Sequence, residues 1–208
     1  GDVYKRQETL SSIEECHAAV RGASVTGLPI VLTLSIETNG RTMMGITPSD
    51  LVQLQDDLCT PLAAYGTNCG LGAAEVIAGI INMKQAADLA NVKPILVAKG
   101  NCGIPEWIDG KICYSGTPEL MAIYTKMAID SGARIIGGCC GTSPKHVAEM
   151  RKVIDSHEKG DTPDLARIES ELGVITSGAK AQMGGDLTIA GGAAGPGHKA
   201  SGRSRRRR

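Results

Sequence analysis

Seven cysteines among 208 residues are the side chains in this sequence with the most chemistry to offer. Three of them stand in glycine-rich frames. Cys69 lies in Gly66-Thr67-Asn68-Cys69-Gly70, and Cys139 and Cys140 lie in Gly137-Gly138-Cys139-Cys140-Gly141. Three thiolates with an open fourth position make a catalytic zinc site, whereas a structural site is closed by four protein ligands. Adjacent cysteines reach one metal only where the backbone is turning, and the flanking glycines supply that freedom. A substrate thiol in the open position would be held deprotonated. Three protein thiolates leave such a centre with a formal charge of about −1, which suits a sulfur nucleophile better than Lewis-acid activation of a carbonyl. Other readings compete. A buried cysteine is commonly a small hydrophobe, and that is the reading for Cys16, Cys59 and Cys113. A lone Cys-Cys pair serves packing or redox chemistry as readily as metal, and a vicinal disulfide is strained. Cys102 is the less favoured candidate for a fourth thiolate. One cysteine and one pair, both framed by glycine, tip the balance toward metal.

The elements around these residues alternate. Apolar, β-branched runs at 29–36, 62–66, 94–99 and 133–137 read as buried strands. Helical patterns follow at about 47–58, 73–89, 118–131 and 144–157, the last capped by Ser143 with Pro144 in its first turn. A further short helix is predicted at 163–172. Residues 8–20 carry a helical stripe of Leu10, Ile13, Cys16 and Val20, and residues 1–7 carry no pattern. The segment with Pro105 and Trp107 reads as a loop. Strands alternating with helices predict a parallel α/β sheet. In such folds chemistry gathers at the C-terminal ends of the strands, where Cys69 and the Cys139-Cys140 pair both fall. After Gly173 the chain turns Gly/Ala/Ser-rich and ends in an arginine cluster, a composition too poor in apolar residues to build a core. The expected organisation is a domain over 8–157, followed by an extension and a disordered tail over 158–208.

Bulk composition narrows the function. Apolar residues make up 42% and charged residues 21%, with Lys+Arg and Asp+Glu equal at 22 each. That balance gives the chain no overall field to attract nucleic acid. No apolar run approaches the roughly 20 residues of a membrane helix. No signal peptide is visible, so the expected location is the cytoplasm. The first residue is not Met, from which a missing N-terminal portion is expected. At 208 residues the chain is short for a complete eight-stranded barrel of about 250.

The motifs Gly66-Thr67-Asn68-Cys69-Gly70 and Gly137-Gly138-Cys139-Cys140-Gly141-Thr142 resemble the two zinc motifs of the homocysteine S-methyltransferase family. Ala98-Lys99-Gly100-Asn101, Gly40-Arg41-Thr42-Met43-Met44-Gly45 and Ser143-Pro144-Lys145-His146 are similar to that family too, in one continuous order from about residue 8 to 154. The resemblance implies a (β/α)8 TIM barrel, of which this chain would carry about strands five to eight. It implies Zn2+ on Cys69, Cys139 and Cys140, and homocysteine and a small methyl donor as partners, with methionine as product. Glu8 matches the family position that holds the homocysteine amino group, and reads equally well as a helix N-terminal acid. Asn68 would touch substrate or shape the turn. No separate catalytic side chain is assigned.

For the donor, a quaternary ammonium compound such as betaine is commonly held on aromatic faces, and Tyr65 and Trp107 are the rings placed near the rim. A homocysteine-binding module of a folate/cobalamin-dependent methionine synthase is the alternative, and an inactive barrel fragment is another. The arginine cluster raises a rival nucleic-acid role, but the tail lacks stacking aromatics. No membrane partner is expected, and nothing excludes a homo-oligomer.

Overall fold

The computed structural model describes residues 4–186. Five parallel strands form one sheet: β1 (Lys5–Leu10), β2 (Ile30–Leu34), β3 (Ala64–Cys69), β4 (Leu96–Gly100) and β7 (Ala133–Gly138). They lie in the order β1-β2-β3-β4-β7, which is their order in the chain. A doubly wound sheet would reverse direction at a switch point. Here the winding never reverses, so the helices share one face and the other face is left as an inner surface.

The helices are α1 (Ile13–Ser24), α2 (Pro48–Leu54), α3 (Ala73–Leu89), α4 (Pro118–Asp130), α5 (Pro144–Ser156), α6 (Leu165–Leu172) and α7 (Ser177–Met183). Their starts follow from local chemistry. Ser12, Thr47 and Thr117 each accept a backbone N–H of the first turn, and Pro48, Pro118 and Pro144 stand at the first helical positions. The main core lies between these helices and the outward residues of the strands, among them Leu32, Leu34, Tyr65, Leu96 and Ala98. Alternation along the strands sends Val31, Ala64 and Val97 to the opposite face, where they form a separate small cluster. Toward the strand ends that inner face turns polar, with Thr33, Asn68 and Lys99. An inner wall that is apolar at one end and polar at the other places any chemistry at the C-terminal rim.

Four expected strands and the helices at 73–89, 118–131 and 144–157 are present within one or two residues, with strand ends shifted slightly more. Four expectations are corrected. Residues 5–10 are a strand, not the first turn of a helix, and α1 begins only at Ile13; β1 pairs in parallel with β2 through Lys5–Ile30, Arg6–Val31 and Gln7–Leu32. The loop around Trp107 is a hairpin of β5 (Pro105–Ile108) and β6 (Lys111–Tyr114). Its turn residues Asp109 and Gly110 have φ of 49° and 78°, the paired left-handed conformation of tight hairpins. The segment after Gly173 does fold as far as it is described: in α7, Ala179 and Gln182 are buried against α3. Finally, Cys59 and Cys113 are exposed, and only Cys16 of that trio is a core residue. The expected disordered tail, in its part 187–208, lies outside the described residues.

Candidate metal centre

Cys69 is the last residue of β3, and Cys139 and Cys140 follow directly on β7. Two strands that are not sequence neighbours thus end at one place, on either side of β4. The Sγ atoms of Cys69 and Cys140 are 4.0 Å apart, as are those of Cys139 and Cys140. All three lie within 4.8 Å of one another. Tetrahedral zinc with Zn–S bonds of about 2.3 Å needs sulfurs about 3.8 Å apart. The observed triangle meets that need with small rotations of the side chains. Among the described residues it is the one group of three His, Cys, Asp or Glu side chains close enough to share an ion.

The backbone is bent to make the triangle. Cys69 has φ of 61° and Gly70 of 66°, so two successive residues adopt the left-handed conformation. For a cysteine this is uncommon, and such outliers gather at functional sites. Gly70 is required twice over, because a Cβ there would lie 2.1 Å from the Ile36 carbonyl oxygen. The Cys139 N–H donates to the Gly100 carbonyl at 2.8 Å and the Cys102 N–H to the Cys140 carbonyl at 2.9 Å, which stitches the Cys-Cys turn onto the end of β4.

Two buried asparagines complete the frame. Asn101 accepts the Cys140 N–H at 3.0 Å and donates to the Gly70 carbonyl at 2.9 Å, so one side chain ties the two cysteine turns together. Asn68 accepts from the Thr9 N–H at 2.9 Å and the Thr33 hydroxyl at 2.6 Å. Those two donors fix its amide so that Nδ2 donates to the Thr9 hydroxyl at 2.7 Å and faces the Cys139 sulfur at 3.8 Å. Burial, and then the neighbouring Cys139 sulfur, push the Cys69 thiol up to about 11. The Cys69 thiol so placed resists ionising by itself. A divalent cation reverses that preference, since it stabilises all three thiolates at once.

The expected site residues fall as follows. Cys69, Cys139, Cys140 and Asn68 are in one contact group. Glu8 lies on β1, not at a helix start, and forms ion pairs with Arg6 and Lys99. Its neighbour Thr9 touches Asn68, which joins β1 to the group. Cys102 is outside it: its buried thiol donates to the Gly116 carbonyl at 3.2 Å. Tyr65 does not reach the rim; it is buried on the helix face of β3. Trp107 stands on the hairpin, 74% exposed. The sequence reading passed over Thr9, Thr33 and Asn101, which are polar residues at or near strand ends. The hairpin that carries Tyr114 was announced by Asp109-Gly110 between two apolar pairs.

No helix among the described residues is long and apolar enough to cross a membrane.

Known proteins resemble this chain in sequence and in fold. The family model described as homocysteine S-methyltransferase matches residues 6–154. The chain is 27% identical over 176 residues to betaine–homocysteine S-methyltransferase 1 of Danio rerio, covering 77% of this chain and 42% of that protein. It is 27% identical over 179 residues to the Rattus norvegicus protein of the same name, covering 80% and 43%. The chain therefore spans about two fifths of the length of these relatives. Among solved structures, the homocysteine methyltransferase MmuM of Escherichia coli superposes with a TM-score of 0.55 at 21% identity, in its apo form over 74% of this chain and 50% of that one. Its metallated form gives the same score over 73% and 45%. The α/β sheet thus resembles part of that barrel.

Proposed function

The chain belongs to the homocysteine S-methyltransferase family, and from that premise we propose that it carries the metal-binding end of a zinc-dependent enzyme that methylates homocysteine to methionine. In this reading β1, β2, β3, β4 and β7 are about the fourth to eighth strands of a (β/α)8 barrel. The observation that carries the reading is the triangle of Cys69, Cys139 and Cys140, assembled from two strand ends to tetrahedral dimensions. The residues present suit zinc: soft thiolate donors, three in number, of which Cys140 is exposed. Bound there, zinc would supply a position that favours the thiolate form of a substrate sulfur at neutral pH.

The chain's own residues supply the rest. Asn101 holds the two cysteine turns in register. Asn68, oriented by Thr9 and Thr33, presents an N–H toward Cys139 and the space beside it. Glu8, held in place by Lys99, offers a carboxylate to the ammonium group of an amino acid. The substrate thiolate forms the new S–CH3 bond as the donor's bond to that methyl breaks, and the donor leaves with the bonding pair. The relatives named for betaine support a methylated ammonium donor.

The test is zinc per chain in the purified protein, beside Cys69→Ser. One zinc per chain, lost in the variant, is expected. A folded wild-type protein without zinc would refute the reading, as would Cys69→Ser with full zinc. Homocysteine methylation with betaine as donor then tests the substrate assignment.

A further inference from the structure

β1 does not pair regularly with β2. Gln7 stands opposite Leu32 and Leu10 opposite Leu34, so the two residues Glu8 and Thr9 face the single residue Thr33. This is a β-bulge, which is rare between parallel strands and re-aims the side chains it carries. Strict alternation from Arg6 and Glu8, on the inner face, would send Thr9 to the helix side and Leu10 inward. The extra residue does the opposite. Leu10 packs against the helix-side core. Glu8 and Thr9 stand side by side on the inner face, where Glu8 pairs with Lys99 and Thr9 with Asn68.

The bulge is strained. Thr9 has φ of 64°, in the left-handed region where a β-branched residue is an outlier. Such a conformation persists only where the surroundings over-determine it, and it gathers at functional sites. Thr9 is exposed, so packing does not hold it there. Asn68 does, reaching from β3 across β2. Its Oδ1 accepts the Thr9 N–H at 2.9 Å and its Nδ2 donates to the Thr9 hydroxyl at 2.7 Å, so one amide grips both the backbone and the side chain of the strained residue. The Thr33 hydroxyl fixes the same amide at 2.6 Å, and its Nδ2 faces the Cys139 sulfur at 3.8 Å. A bulge that only blunted the sheet edge would need no grip from a strand two places away.

We infer that Thr9 is a positioning residue for an amino-acid thiol: gripped by Asn68, its left-handed turn sets the Glu8 carboxylate at a fixed place relative to Cys139, and so makes the site select thiols that carry an α-amino group. The inference rests on the homocysteine reading above. One chain of contacts runs from Lys99 to Glu8, through the bulge to Thr9, and on through Asn68 to Cys139. Glu8 and Thr9 are joined by a single peptide unit, so rotation about the Thr9 φ bond turns Glu8 relative to Asn68. The two bonds from Asn68 block that rotation. A thiol without an amino group makes no use of Glu8 and is indifferent to the bulge.

Thr9→Gly in the full, zinc-loaded chain tests this. Glycine accepts a left-handed φ without strain, and the change removes the hydroxyl that Asn68 grips. Thr9→Ser keeps the hydroxyl and serves as the rescue. Calorimetric titration with homocysteine and with γ-mercaptobutyrate, which has the same thiol and carbon chain but no amino group, reads the preference. A hydrogen bond between charged groups is worth about tenfold or more in affinity, so the wild type should prefer homocysteine by at least about tenfold. In Thr9→Gly the preference should fall below about threefold as that contact is lost, through weaker homocysteine binding alone. Its melting temperature should be no lower than that of the wild type, because the strain is relieved. Thr9→Ser should keep the wild-type preference. An undiminished preference in Thr9→Gly, or equal weakening of both thiols, would overturn the role of Thr9 and leave the Glu8 and cysteine readings standing. A zinc-loaded wild type that binds both thiols equally would overturn the Glu8 reading and this inference together, and a folded wild type without zinc would overturn the site itself.

Discussion

Asn68→Asp is the substitution that separates the shape of the site from its electrostatics. Asn68 is fully buried. Its Oδ1 already accepts two donors, at 2.9 Å from Thr9 and 2.6 Å from Thr33. Aspartate keeps the shape and both of those bonds, and the Thr9 hydroxyl can rotate to donate to the second oxygen. What changes is the group facing Cys139, where a carboxylate oxygen replaces an N–H at 3.8 Å. Three thiolates around a divalent cation carry a formal charge of about −1. At the 3.8 Å separation, the repulsion is about 4 kcal/mol for an effective dielectric of about 20, and about 2 kcal/mol for about 40. Since each ~1.4 kcal/mol is tenfold, the zinc Kd should rise at least about 30-fold. Chelator competition at pH 7 measures it, and the melting temperature in excess chelator checks that the fold is intact. A Kd within about threefold of wild type in a folded variant would show that Asn68 does not face the sulfur cluster, and the assigned amide orientation would be wrong.

The other predictions concern the frame. Asp130, buried at the end of α4, accepts from the His157 ring and from the Gly160 N–H, both at 2.8 Å, with the Arg167 guanidinium at 3.5 Å. Asp130→Ala strands these donors and should cost about 3 kcal/mol, read from urea unfolding. Burial alone would raise the Asp130 carboxyl, but the His157 ring, the Gly160 N–H and Arg167 outweigh it and hold it below its ordinary value. A depressed folded-state pKa contributes stability that is present above the unfolded value of about 3.9 and is lost as pH falls through the folded value. The gap between wild type and Asp130→Ala should therefore narrow below about pH 4. A chain ending at Asp186 should match the full chain in melting temperature and zinc content. One ending at Gly173 loses the buried Ile175, Ala179 and Gln182 and the Thr176 N–H that donates to Glu75 at 2.5 Å. It should melt well below the full chain, because Glu75 is left buried without that donor.

The sequence by itself determined the alternation of strands and helices and which ends carry the cysteines. Those signals are local: β-branched runs such as Ile30–Leu34, a 17-residue apolar helix at Ala73–Leu89, and Thr or Ser caps followed by proline. Glycines around Cys69 and Cys139-Cys140 were legible for the same reason, since a sharp turn leaves its mark on the residues that make it. Tertiary structure alone decided the rest. Lys5–Leu10 shows no strand alternation because Arg6 and Glu8 belong to a charged inner wall, where Glu8 pairs with Lys99 some ninety positions away; only the partner strand makes it a strand. In α7 the Gly/Ala-rich sequence reads as unfoldable, yet small residues are what fit there: a Cβ on Gly178 would lie 2.4 Å from the Asn39 carbonyl. Asn101 and Thr33 act on a cysteine and an asparagine 39 and 35 positions away. No local pattern encodes such contacts, because each residue satisfies its own strand or turn equally well until the sheet brings its partner alongside.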